Sequence, residues 1–152
     1  MKFQNVIEIQ APITAVFEFV ADMRNIPKWN YFVMRVVQES GNGPKLGARY
    51  HQTRKTDNQR YEITHYEPVQ SLTIQSLPGS SLGFKRHLRF ESVVDGTRLI
   101  DQMSLRTRYP SILERLAVGG IRKAVAANLG KLKELLENGQ TQLQDGQVIN
   151  LT

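Results

Sequence analysis

The apolar residues of this chain change period at Pro110, and that change constrains the fold more than any other feature of the sequence. Before it, apolar and polar side chains alternate in short runs, as in half-buried strands. After it, Leu113, Leu116, Ile121, Val125, Leu129, Leu132 and Leu136 recur at helical spacings of threes, fours and fives as far as Asn138. A row of strands followed by one long amphipathic helix buries its apolar surface most simply by packing the helix on the sheet, an α+β arrangement. Gly119-Gly120 marks either a bend or a tolerated weak point, and Asn138-Gly139 closes the helix. The segment 140–152 has no periodicity and is expected to be a mobile tail, so the domain is placed at residues 1–139.

The strands are read through their turns. Phe3, Asn5, Ile7 and Ile9 share one face of a first strand, which Ala11-Pro12 ends. Val16, Phe17 and Val20 then sit at helical spacing over Ile13 to Ala21, and Asp22 to Asn30 leaves room for a second short helix. A strand from Tyr31 to Glu39 follows. A two-residue turn at Asp57-Asn58 would pair Arg54 with Tyr61, Gln52 with Ile63 and Tyr50 with His65, which puts these residues on one face. Leu72 to Leu77 makes a further strand. Asp95-Gly96, the strongest hairpin signal, would pair Phe90 with Asp101, Leu88 with Met103 and Arg86 with Leu105, with Phe84 on the same face. Lys85, His87, Arg89, Gln102, Ser104 and Arg106 fall behind. The count comes to about six or seven antiparallel strands.

Composition narrows the function classes. At 152 residues, 40% hydrophobic and 22% charged, the chain fits one globular domain. Having no cysteine excludes disulfides, thiolate nucleophiles and Cys-based zinc sites. The alternating start, with Glu8, lacks the apolar run of an export signal, and no run is long enough to span a bilayer, so a cytoplasmic location is expected. The net charge of +6 is scattered over groups such as Arg49/Arg54/Lys55/Arg60, Lys85/Arg86/Arg89, Arg106/Arg108 and Arg122/Lys123. Specific nucleic-acid binding is not expected, because the aromatic residues fall on the inward faces, away from the bases. Peripheral contact with an acidic surface remains open. His51, His65 and His87 are dispersed, so no metal is expected, and no cofactor motif is present. Gly79-Ser80-Ser81-Leu82-Gly83 matches a nucleophile-elbow pattern by letter but precedes a strand where the motif needs a helix.

With Ala11-Pro12, Val16-Phe17, Val20, Asp22 and Trp29, then Leu46-Gly47, Glu67-Pro68, Asp95-Gly96-Thr97-Arg98-Leu99 and the terminal helix, residues 1 to 138 resemble the helix-grip superfamily abbreviated SRPBCC, or START-like. The likeness is greatest to its bacterial polyketide cyclase/dehydrase-like branch. It implies a curved antiparallel sheet wrapped around a long C-terminal helix, two short helices after the first strand, and a ligand cavity between sheet and helix. Members of the superfamily bind lipids, sterols, polyketides or other apolar compounds, and many are not catalytic. These motifs are turn and packing features and carry over no reacting group.

The hairpin registers and the helix face then supply the expected lining: Tyr50, Arg54, Tyr61, Ile63, His65, Phe84, Arg86, Leu88, Phe90, Asp101, Met103, Leu105, Leu116 and Val125. Charged residues on an inward face need a partner, water or ligand. Arg86 or Arg54 paired with Asp101 is one reading, and a polar patch in an apolar pocket is the other. The expected function is binding or carriage of a small apolar molecule such as a lipid, isoprenoid or polyketide. The alternative is a cyclase/dehydrase-type enzyme in the same cavity, with His65 and Asp101 as acid/base candidates. Ligand identity and oligomeric state are open at this point.

Overall fold

A computed structural model describes residues 1–106 and 110–152. Strands β1 (Lys2–Ile9), β2 (Val33–Ser40), β3 (Arg49–Arg54), β4 (Asn58–Glu67), β5 (Ser71–Ser76), β6 (Gly83–Val93) and β7 (Gly96–Arg106) form one antiparallel sheet in the order β1-β7-β6-β5-β4-β3-β2. Helix α1 (Ile13–Ala21) and a 3-10 turn over Met23–Lys28 lie between β1 and β2, and α2 (Ser111–Asn138) follows β7. The expected helix-grip architecture is present. Arg108, named with Arg106 among the basic groups, lies outside the described residues. Among the described residues no helix is long and apolar enough to cross a membrane.

Both hairpins keep the expected faces as far as Ile63 in β4, but both turns differ from the expected ones. In β3 and β4, Tyr50 pairs with Tyr61 and Gln52 with Gln59, because the loop runs from Arg54 to Asp57 rather than turning on Asp57-Asn58. The partner of Tyr50 moves four positions, from His65 to Tyr61, and an even displacement leaves side chains on their original face. In β6 and β7, Phe90 pairs with Leu99, Leu88 with Asp101 and Arg86 with Met103. The turn there is Val94-Asp95, and Gly96 is already the first residue of β7. A Cβ at Gly96 would collide with the Ile9 carbonyl oxygen. This glycine serves the close approach of β1 as well as a positive φ of 157° just after the turn.

The core lies where α1, the 3-10 turn and the C-terminal half of α2 meet the concave side of the sheet. Val16, Phe17, Val20, Met23, Trp29, Ile63, Leu72, Leu88, Phe90, Leu129 and Leu132 form one buried cluster. Phe17 meets Phe90 edge-on, with ring centroids 5.0 Å apart. Helix α2 runs without interruption through Gly119-Gly120, and a Cβ at either glycine meets nothing within 4 Å. The pair is therefore a tolerated weak point, neither a break nor a close contact.

The segment expected to be a mobile tail has secondary structure of its own. Strands β8 (Gln140–Gln142) and β9 (Val148–Asn150) pair as a small hairpin, Gly139 caps α2 in a left-handed conformation, and Thr141 and Leu143 are buried. The Thr141 hydroxyl donates to Glu134 Oε2 at 2.7 Å. Exposing a buried Leu costs roughly 1.5–3 kcal/mol, and each kcal/mol shifts Tm by roughly 2–4 °C in a domain of this size. Truncation after Gly139 should therefore lower the melting temperature by several degrees, as read by calorimetry, whereas an undocked tail would leave it unchanged.

Candidate functional site

Between the concave sheet and the middle of α2 lies a cavity of about 430 Å³, within the ordinary size range of small-molecule pockets. The sheet contributes Gln52 and Arg54 from β3, Gln59 and Tyr61 from β4, Ile74 from β5, Phe84 and Arg86 from β6, and Met103 and Leu105 from β7. Ile26, Asn30, Phe32 and Leu82 close its ends. The α2 wall is made of Ala117, Gly120, Ile121, Ala124, Val125 and Asn128, which recur at helical spacing along one face. Three of these six helix residues are alanine or glycine. The helix therefore spans the sheet here without filling the space beneath it.

Half of the expected lining is in this cavity: Arg54, Tyr61, Phe84, Arg86, Met103, Leu105 and Val125. Tyr50, Ile63, Leu88 and Phe90 face the expected way but are packed into the buried cluster. Tyr50 stacks on Tyr61 with centroids 5.6 Å apart, and burial, followed by the nearby Asp22 charge, pushes its hydroxyl up to about 12. Burial likewise raises the Tyr61 hydroxyl. Both phenols stay protonated at neutral pH, and that of Tyr61 serves as a hydrogen-bond donor.

Two expected site residues, His65 and Leu116, do not face the cavity. The pairing of β4 with β5 slips after Ile63, so His65 turns to the convex face while Tyr66 packs inward against Phe17. His65 Nε2 lies 2.9 Å from Ser71 Oγ, and its ring centroid is 6.0 Å from that of His87. Burial, then the neighbouring His65, Arg89 and Lys85, lower the pKa of His87. Leu116 is 73% exposed. Its step of five residues to Ile121 turns the helix by about 500°, which leaves Leu116 out of phase with the buried row by roughly 140°. Leu113, at 54% exposure, also stands clear of the core, whereas Val125, Leu129 and Leu132 pack as the period implies.

Asp101 and Arg86 form the buried ion pair that the inward face requires. Arg86 donates from Nε to Asp101 Oδ1 at 2.8 Å and from Nη2 to Oδ2 at 2.5 Å, and Asp101 is fully buried. Burial opposes the Arg86 charge, but attraction to Asp101 and these hydrogen bonds outweigh it, so the guanidinium pKa is raised. Both carboxylate oxygens of Asp101 are thus occupied. A second polar chain runs across the wall: Tyr61 Oη donates to Gln52 Oε1 at 3.0 Å, and Gln52 Nε2 donates to Gln59 Oε1 at 2.9 Å. At the mouth, Arg54 faces Asp57 at 3.6 Å. The remaining basic groups are spread over the surface and partly paired, with Arg49 on Glu62, Arg60 on Glu39 and Arg98 on Glu8.

Gln52, Gln59 and Asn128 are buried polar residues that the sequence reading did not place in the site. The two glutamines share the alternating face of Tyr50 and Tyr61, so their positions were readable. Asn128 follows from the row Ala117, Gly120, Ala124 and Asn128, a stripe of small or polar residues beside the leucines of α2. The serines of the nucleophile-like loop are engaged with backbone: Ser80 Oγ donates to Arg60 O at 2.6 Å, and Ser81 Oγ donates to Asn58 O at 2.6 Å. Strand β6 begins at Gly83, so that loop leads into no helix. Among the described residues no three His, Cys, Asp or Glu side chains converge as metal ligands would.

The sequence matches the family model described as polyketide cyclase / dehydrase and lipid transport over residues 1–137. No curated protein matches it. Solved structures share its fold at low identity. A START superfamily protein from Mycobacterium smegmatis aligns with a TM-score of 0.73 at 12% identity, covering 88% of this chain and 98% of its own. A protein from Mesorhizobium loti gives 0.72 at 19%, covering 94% and 100%. An Aha1 dimer from Colwellia psychrerythraea gives 0.65 at 16%, covering 90% and 96%.

Proposed function

This chain belongs to the polyketide cyclase / dehydrase and lipid transport family, and from that premise we propose that it binds and carries a small, largely apolar molecule in the cavity between its sheet and α2. The observation that carries this reading is the cavity of about 430 Å³, walled by Phe84, Met103, Leu105, Ile121 and Val125 and crossed by a few ordered polar groups. An apolar ligand entering it loses water-exposed surface at ~25 cal/mol per Å². The polar groups fix its orientation.

Carriage is preferred to cyclase/dehydrase chemistry because of where the acid/base candidates stand. His65 is on the convex face, and Asp101 is fully buried, ion-paired to Arg86 and not part of the cavity lining. A general base must come within hydrogen-bonding reach of the substrate proton. A titration with Nile red, a neutral apolar dye, tests the reading. Saturable fluorescence enhancement at one site per chain is expected. Absence of saturable binding would mean that the cavity is no ligand site.

A further inference from the structure

Helix α2 begins with apolar residues that the fold leaves uncovered. Ile112, Leu113 and Leu116 are 77%, 54% and 73% exposed. At about 100° per residue they occupy one arc of roughly 100° on the first two turns of the helix. Single apolar residues scattered over a surface are normal, but a contiguous group marks an interaction site. The arc also runs into the cavity wall, because Ala117 lies one turn beyond Leu113 and Gly120 one turn beyond Leu116. The uncovered residues thus stand one turn before the ligand space rather than on a remote surface.

Strand pairing shows what surrounds them. Thr53 pairs with Asn58, Gln75 with Lys85 and Gly83 with Arg106, so the loops after β3, β5 and β7 share one end of the sheet with the start of α2. That end is basic. Lys55, Arg106 and Arg115 are exposed, and none has a carboxylate within ion-pair reach among the described residues. Lys55 Nζ lies 4.1 Å from the centroid of the Tyr31 ring. Asp57 is engaged by Arg54, and Glu114 stands about 160° round the helix from Leu116. Arg122 and Lys123 continue the exposed cations along α2. Glu67, Asp95 and Glu137 lie at the opposite end, where β4, β6 and α2 finish.

An apolar arc bordered by unpaired cations is the chemistry of a helix lying in the surface of an anionic bilayer, where the apolar side chains enter the acyl boundary and the cations meet lipid phosphates. Three side chains on one helix end offer far less than the ~800 Å² per partner of a stable protein interface. A bilayer takes up each side chain separately. We propose that the start of α2 and the basic loops beside it dock on an anionic lipid bilayer, with Ile112, Leu113 and Leu116 inserted below the headgroups. Docking goes beyond ligand carriage and is tested without cargo. Sedimentation with sucrose-loaded vesicles of phosphatidylcholine, alone or with about 30% phosphatidylserine, reads it at an ionic strength of about 0.1 M. The protein should pellet with the anionic vesicles and stay largely in solution with phosphatidylcholine alone. The triple variant Ile112→Gln, Leu113→Gln and Leu116→Gln should bind at least roughly tenfold more weakly. It should melt within about 2 °C of the unaltered protein, because exposed positions given a good helix former change little. Arg115→Gln should weaken binding about fivefold. Val94→Gln, at a 99% exposed position at the opposite end, should change nothing. Pelleting with neither vesicle, or undiminished pelleting of the triple variant, would overturn the inference. So would a dimer in solution that the triple variant dissolves, which would assign the face to a second copy of the chain. Nile red titration without vesicles reads the cavity separately, so failure of docking and failure of carriage are told apart.

Discussion

Asp101→Ala should destabilise the protein by ~3–5 kcal/mol, the cost of leaving one member of a buried ion pair without its partner. Arg86 is 9% exposed, and both of its hydrogen bonds in the pair go to Asp101. With the carboxylate gone, the guanidinium has no anion within the core and must shed its burial or distort β6. At ~2–4 °C per kcal/mol the melting temperature should fall by about 6–20 °C. The double variant Arg86→Met with Asp101→Leu removes both charges at nearly constant volume, and such replacements are often neutral or stabilising. It should recover most of the loss in the same denaturation series. If Asp101→Ala alone proved harmless, the pair would have to be solvated through the cavity, and Arg86 would be open to a ligand anion.

The double variant also addresses function. The pair stands beside the cavity, and its neutrality disfavours an anionic ligand there. Arg86→Met with Asp101→Leu should therefore keep Nile red binding, since it removes polarity without removing the apolar walls. The single variant Asp101→Asn should shift preference toward carboxylates, because it leaves the Arg86 charge without a counter-ion. These changes act on selectivity through charge.

Faces were legible in the sequence, and registers were not. The alternation in β3, β4, β6 and β7 assigns each side chain to the concave or convex face, and an even register error leaves that assignment intact. Asp95-Gly96 reads as a turn because Gly is the usual turn residue, yet Gly96 is the first residue of β7 and also lets β1 approach. His65 was misplaced because the bulge after Ile63 reverses the face of all that follows in β4. Local composition carries no sign of that bulge. It depends on how Thr73 and Leu72 of β5 align with His65 and Tyr66. On α2, the leucines drew attention to the face that packs, while the cavity is framed by the smaller residues beside it. A pocket is built from what does not fill space, and hydrophobic periodicity reports the opposite.

Gly120→Leu tests that last point, because it should change stability and binding in opposite directions. Gly120 lines the cavity, and a Cβ placed on it meets no atom within 4 Å, so a leucine side chain has room to enter the ligand space. Glycine in a helix interior costs ~0.8–1 kcal/mol relative to alanine, and leucine is nearly as good a helix former. The substitution should thus raise the stability of α2 by roughly 0.5–1 kcal/mol while taking up volume that a ligand would use. Nile red affinity should drop about tenfold or more, since the loss of contact and the steric conflict act together. Gly119 is the control: it is the preceding residue of the same helix, its Cβ position is also open, and it does not line the cavity. Gly119→Leu should give the same gain in melting temperature with binding unchanged. Equal binding by both variants would place the ligand elsewhere, and equal loss in both would trace the effect to the helix rather than to the space beneath it.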